Sequence, residues 1–218
     1  MERMYFNPGC ALSIYKPEME ERVLAYLKAH YPDISLHKIC CRHKPRLTGD
    51  SCIINICAGC DRRFGSLYPG VRTISLWEIL DQTDDFPYPD YQGQIMSIHD
   101  PCPVRERPAV HNAIRSLLGK MNIKIVEAKR NRQNAPCCGD TFYPDLPLTE
   151  VHAKMKARAD EMPCKEVAVY CVSCIKAMHI GGKTPRYMVD LLFGEPTSPG
   201  LYDTVEWHKQ LQAYIDKH

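Results

Sequence analysis

The sequence predicts an α/β chain of two pseudo-symmetric repeats. Each is a small, mainly parallel sheet flanked by helices, with cysteines at the carboxyl ends of its strands. Three observations carry that expectation. Short apolar runs alternate with helical periodicities, an order that favours parallel pairing through right-handed crossovers. The order restarts once, after residue 93. Ten of the twelve cysteines fall into two copies of one series: a single thiol, an adjacent pair, then a CxxC.

Residues 3–6 read as a strand entering a turn at Asn7-Pro8-Gly9, with Cys10 just beyond. Pro17 can open a helix, and Met19, Val23, Tyr26, Leu27 and His30 recur at helical spacing before Pro32 closes it. Residues 34–39 read as a strand delivering Cys40-Cys41, and the isoleucine-rich 51–57 as one delivering Cys57 and Cys60. Residues 73–81 mix strand and helix signals. The acidic, aromatic stretch 81–93 carries Pro87 and Pro89 and reads as the boundary. Beyond it, 94–99 is a strand before Cys102. Pro108 opens a helix with Val110, Ala113, Ile114, Leu117 and Leu118 on its inner face, ended by Gly119. Residues 124–128 form a strand ahead of Cys137-Cys138. Thr149 can cap a helix running to Met162, and 166–170 is a strand delivering Cys171 and Cys174.

Fifteen residues separate Cys41 from Cys57, but thirty-two separate Cys138 from Cys171. The difference matches the 149–162 helix, so the first repeat reads as the same unit with one helix removed. The expected domains are 1–93 and 94–182, followed by a C-terminal loop and helix over 183–218. Asp203 and Glu206 form a capping box for that last helix, which either packs on its own domain or docks a partner.

A chain of 218 residues can bury a core without covalent staples. With 28 basic and 26 acidic residues, no global field argues for nucleic acid, and the Lys129–Arg132 run lacks the aromatic platform that single strands need. The start has no apolar run, and no stretch approaches the roughly 18 apolar residues of a membrane span, so a cytoplasmic chain is expected. In a reducing compartment twelve cysteines point to metal or redox work rather than disulfides. Parallel α/β sheets collect ligands beyond the carboxyl ends of their strands, where all the repeated cysteines fall. Thiolates select zinc, copper(I) or iron–sulfur clusters. Structural zinc takes four ligands, a plain [4Fe–4S] cube would leave one thiol over, and no ferredoxin spacing is present. Five thiols per half suit a multi-iron cluster, with a zinc-stabilised interaction module as the rival.

The segments HDPC at 99–102, PCCGD at 136–140 and CVSC at 171–174, with NPGC and CAGC in the first half, resemble the CCG-domain iron–sulfur family of heterodisulfide reductase B subunits. The resemblance covers about residues 1–180. It implies two non-cubane [4Fe–4S] clusters, one held by Cys10, Cys40, Cys41, Cys57 and Cys60, the other by Cys102, Cys137, Cys138, Cys171 and Cys174. It also implies a small disulfide or thiol substrate split between them by one-electron steps, whereas other family members relay electrons. No Gly-rich nucleotide fingerprint is present, so electrons are expected from a flavin- or ferredoxin-type donor subunit. Arg42 and Arg105, each within three residues of an implied ligand, are the candidate catalytic groups for receiving the charge of a cleaved disulfide. Arg42 follows the first pair where Gly139 follows the second, a position that favours positive φ. The first site is therefore expected to hold its cluster less tightly, or to take zinc. Cys52 and Cys164 read as small apolar side chains. His99 and Asp100 read as cluster-tuning or turn residues, and His43 and His111 as solvated.

Overall fold

A computed structural model describes residues 2–47, 50–200 and 203–218. The chain forms two compact units, one running up to Ile79 and including Val205–His218, the other Leu80–Thr204. The architecture is α/β, with one four-stranded, all-parallel sheet in each unit, flanked by helices.

The first unit contains β1 (Arg3–Asn7), α1 (Gly9–Tyr15), α2 (Pro17–His30), β2 (Ser35–Leu36), β3 (Ser51–Asn55), α3 (Ala58–Leu67) and β4 (Val71–Ser75), leading into α4 (Leu76–Asp81). The second contains β5 (Ile95–His99), α5 (Pro108–Lys120), β6 (Lys124–Val126), α6 (Leu148–Asp160), β7 (Glu166–Val169), α7 (Val172–Ile180), β8 (Thr184–Tyr187) and α8 (Met188–Leu192). The strand orders are β2-β1-β3-β4 and β6-β5-β7-β8, the same arrangement place for place. In each unit the chain moves outward by one strand, then returns across the first strand to pair on its other side. That reversal creates a crevice between β1 and β3, and between β5 and β7, at the strand ends where α/β sheets bind ligands.

Register brings the strand ends level: Asn7 pairs with Asn55, and His99 with Val169. Every residue of β3 is buried, as are all but the first of β5 and β7. Strands covered on both faces read as continuous apolar runs, which is why these were legible. α2 has Pro17 in its first turn and buries Met19, Val23 and Leu27. α5 buries Val110, Ala113, Ile114, Leu117 and Leu118.

Four differences from the sequence reading matter. Each sheet has a fourth strand, and the second repeat continues past Gly181-Gly182 into β8 and α8. The mixed signals of 73–81 resolve into β4 handing straight over to α4. The 81–93 stretch packs with the second unit rather than separating two domains: Lys120 Nζ donates to Asp81 O and Thr83 O, and Tyr91 OH to Leu191 O. The 183–218 segment is divided, because the last helix, α9 (Thr204–Lys217), belongs with the first unit from Val205 onward. α6 also begins one residue before Thr149, with no side-chain cap. Among the described residues no helix is long and apolar enough to cross a membrane.

Gly139 has φ +108°, and a Cβ there would lie 2.7 Å from the backbone nitrogen of Met155 in α6. Gly139→Ala should therefore destabilise the second unit by at least about 1–3 kcal/mol, the cost of a strained backbone alone. Gly119→Ala adds a Cβ with nothing within 4 Å, in a helix. It should be neutral or stabilise by up to about 1 kcal/mol. Denaturant unfolding of the two variants checks the contrast.

Candidate metal centres

In the first unit three strand ends deliver five thiols. Cys10 sits in the first turn of α1, and Gly9 before it has φ +76°. A Cβ on Gly9 would lie 2.9 Å from Cys57 Cβ and 3.3 Å from Cys60 Sγ, so only glycine lets α1 begin this close to the CxxC. Cys57 is the N-cap residue of α3, with Cys60 in its first turn. Its sulfur accepts from the Cys60 thiol and from the backbone N–H groups of Cys60 and Gly59, which lowers its pKa to about 7. Cys40-Cys41 come from the loop after β2.

The five sulfurs form one hydrogen-bonded ladder. Cys40 is in hydrogen-bonding contact with Cys10 and Cys41, and Cys60 with Cys41 and Cys57. Hydrogen bonds from the Cys10 and Cys41 thiols and the Arg42 backbone N–H pull the Cys40 thiol well below its ordinary value. Donating to a neighbouring sulfur, burial and nearby like charge push Cys10 and Cys60 up.

The second unit repeats the ladder member for member. Cys137 is in hydrogen-bonding contact with Cys102 and Cys138, and Cys174 with Cys138 and Cys171. Cys171 is the N-cap residue of α7, with Cys174 in its first turn. Cys137 is pulled down by the Cys102 and Cys138 thiols and by the N–H groups of Gly139, at 3.4 Å, and Thr141. Cys102 and Cys138 are pushed up by their bonds to Cys137 and by burial, and Cys174 by its bonds to Cys138 and Cys171 and by burial. All ten repeated cysteines thus gather into two groups of five. Cys52 lies in β3, where burial raises its thiol to about 11, and the backbone N–H of Cys164 donates to Ser97 Oγ. All twelve cysteines are free thiols.

Five sulfurs linked one to the next resist ionising together, because each new thiolate would face another. A soft cation removes that obstacle by replacing the protons, so the donor set fits a thiolate-bound metal group. In the second unit the ligand atoms of His99, Cys138 and Cys174 lie within 4.8 Å of one another, a buried group able to hold a metal ion.

The supports differ between the units. Asp100 is fully buried and accepts from both Nη atoms of Arg115 at 2.9 Å, from Tyr170 OH at 2.6 Å and from the Arg132 N–H at 2.7 Å. Burial alone would raise its carboxyl, but these donors outweigh it and hold the pKa at about 2. Its bonds are therefore long-range, not those of a local turn. Arg115 also reaches Glu127 with a second pair of bonds. His99 Nδ1 accepts from Arg158 Nε at 3.1 Å. Burial and the Arg158 charge lower the imidazole to about 3, so the ring is neutral. A buried ion pair, Lys176 to Asp140 at 2.8 Å, stands beside the second cysteine pair. His111 is buried in α5 rather than solvated.

In the first unit Asn7 Nδ2 donates to His37 O at 2.9 Å and faces His37 Nδ1 at 3.2 Å, while His37 Nε2 donates to Pro45 O. These bonds pin both ends of the loop carrying Cys40-Cys41. Arg42 does not adopt the positive φ seen at Gly139, so the two pairs leave their loops by different paths. Among the described residues no helix joins β2 to β3, and α9 reaches this loop from the far end of the chain. The Cys40 N–H donates to His218 O, His43 Nε2 to Ile215 O and Tyr214 OH to Ser13 Oγ. Tyr214 lines a crevice with Gly9, Cys10, Cys40 and Cys60.

Arg42 and Arg105 are both exposed. Arg105 donates to Ala135 O from Nε and Nη2, bracing the segment ahead of Cys137. His37, Arg158 and Tyr214 had no sequence signal, since each meets its partner through folding alone. Arg158 is 59 residues from His99, and Tyr214 is 201 from Ser13. No protein-family model matches the chain, and no curated protein does.

Replacing Arg115 by Met leaves the Asp100 carboxylate buried and short of two donors. The second unit should lose about 3–5 kcal/mol, the cost of breaking one side of a buried pair. Because the folded pKa lies below the unfolded one, the pair's contribution is present at neutral pH. The gap between wild type and variant should shrink as pH falls through about 4 toward about 2. Denaturant unfolding across that range measures both effects.

Proposed function

We propose that the chain is an iron–sulfur redox protein of the CCG-domain kind, with one [4Fe–4S] cluster in each unit. In this reading it either reduces a disulfide or relays electrons within a larger oxidoreductase. The single observation that carries the proposal is the repetition of one five-sulfur ladder at equivalent crevices of two equivalent sheets. Five soft donors exceed what zinc takes and match a multi-iron group.

Cys10, Cys40, Cys41, Cys57 and Cys60 would hold the first cluster, and Cys102, Cys137, Cys138, Cys171 and Cys174 the second. Bound there, such clusters supply one-electron transfer. The chain's own residues prepare the sites. Cys57 stands at the N-terminus of α3, where backbone N–H groups favour its thiolate, and Cys171 occupies the matching N-cap position of α7. Beside the first site a surface groove is lined by His43, Lys44, Arg46 and Lys217, with Arg42 also exposed nearby. Basic side chains at the surface attract an anionic disulfide or an acidic donor subunit. Arg42 is the candidate for stabilising a thiolate released there; Arg105 has part of its donor capacity spent on Ala135. A zinc-holding module is the second reading, favoured by the His99, Cys138 and Cys174 group.

Anaerobically purified protein should be brown and contain iron and sulfide. Cys41→Ser and Cys138→Ser should each remove the iron of one site, and the first site should lose its iron sooner in air. Colourless protein with stoichiometric zinc would replace the iron reading with the module. If a disulfide is reduced, Arg42→Ala should slow an anionic substrate by about ten- to a hundredfold, the loss of one charge-stabilising contact. Full iron content with no disulfide turnover leaves the relay form of the proposal.

A further inference from the structure

We infer that the Nε2–H of His99 donates a hydrogen bond to the sulfur centre of the second unit and raises its reduction potential. Asn7 cannot do this in the first. The inference rests on the iron–sulfur reading and names the residue that sets the two sites apart.

His99 ends β5 and is fully buried. Arg158 Nε donates to its Nδ1 at 3.1 Å. A guanidinium has donors and no acceptor, so Nδ1 presents its lone pair and the ring proton sits on Nε2. Arg158 is itself held, by Glu161 at 2.6 Å and by Arg130 O at 3.1 Å, so the ring's orientation is fixed from behind. Nε2 is buried and has no hydrogen-bond partner among the described residues. A buried N–H without an acceptor is costly and calls for a partner. The nearby candidates are sulfurs, because a ring nitrogen lies within 4.8 Å of the thiols of Cys138 and Cys174.

Direct ligation by His99 is the competing role, and it breaks an existing bond either way. Ligation through Nδ1 displaces Arg158. Ligation through Nε2 moves the proton to Nδ1, which then faces the Arg158 N–H donor to donor. Donation from Nε2 keeps every bond the structure has.

The corresponding position in the first unit is Asn7, at the end of β1 and in register with Asn55. Its amide hydrogens are committed to His37 O and His37 Nδ1. Its Oδ1 is buried without a partner among the described residues, and an amide oxygen can only accept. A donor to a cluster sulfur offsets negative charge and favours the state with one more electron. The second site has such a donor; Asn7 supplies none to the first.

The test uses the full chain, reconstituted anaerobically, with redox titration followed by EPR. The second centre is assigned by its loss in Cys138→Ser. His99→Leu should keep its iron but shift that centre's reduction equilibrium about tenfold toward the oxidised form, about 59 mV lower for a one-electron couple. The other centre should not move. His99→Gln, whose amide can accept from Arg158 and still donate, should restore most of the shift. Nitrogen-15 in His99 should give a weak hyperfine coupling and an exchangeable proton, both absent in His99→Leu. An unmoved potential at full iron content overturns the inference. So does a strong directly bonded nitrogen coupling, or loss of that iron in both variants, which makes His99 a ligand. Absence of any iron–sulfur centre in the wild-type chain overturns the reading of the thiols and this inference with it.

Discussion

Crowding of sulfur at the end of each sheet is the constraint on which the rest of the structure depends. Five acidic groups stand one against the next in a single crevice, and protein dipoles can hold only part of the negative charge they could carry. The solution is the same twice: contact with two neighbouring thiols lowers the pKa of Cys40 and of Cys137, and raises that of their neighbours Cys10, Cys41, Cys102 and Cys138. Such an arrangement is half-way to a metal site, since a bound cation takes over the role of the protons and releases them. Metal occupancy and stability are then linked, and the crevice should be better held with metal than with protons.

Backbone economy makes the crowding feasible. Gly9 brings α1 against the CxxC, the first turn of α3 aims N–H groups at Cys57, and Cys171 holds the matching N-cap position of α7. Around that shared core the supports diverge. The second unit braces its site with the Asp100–Arg115–Tyr170 network and with α6; the first uses Asn7, His37 and the far end of the chain in α9. The ligand arrangement is common to both units, and the means of holding it is not.

Much of this was legible in the sequence. Buried parallel strands such as β3 and β7 announce themselves as apolar runs, and the spacing of the thiols marked the shortened half. What escaped has physical reasons. β8 carries Pro185 in its middle, and a proline argues against a strand unless the strand lies at a sheet edge, as β8 does. β4 passes into α4 without turn residues, so two periodicities overlap in one short window. The 81–93 stretch looks like a linker by composition, yet Tyr91 and the Asp81 and Thr83 carbonyls tie it to the second unit. His99 was visible as a neighbour of Cys102, but its tautomer depends on Arg158, and that contact exists only once α6 has packed.

The extra helix of the second half therefore changes chemistry as well as shape. α6 carries Arg158, and with it the bond that puts the His99 proton on Nε2. In the first unit, where no such helix follows β2 among the described residues, the residue at the same strand end is Asn7, and its hydrogens turn toward His37 instead. Charge follows the same division. Arg158 and Lys176 are buried, each matched by a carboxylate, Glu161 or Asp140, so they orient bonds around the second site more than they add field. Arg42, Lys44 and Arg46 are exposed near the first site, where salt screens them beyond about 8–10 Å. Buried pairs act on charge already held in the crevice, and exposed cations act on charge that approaches it. Two sites with one ligand arrangement are in this way given different environments, the second governed from within the fold and the first from its surface.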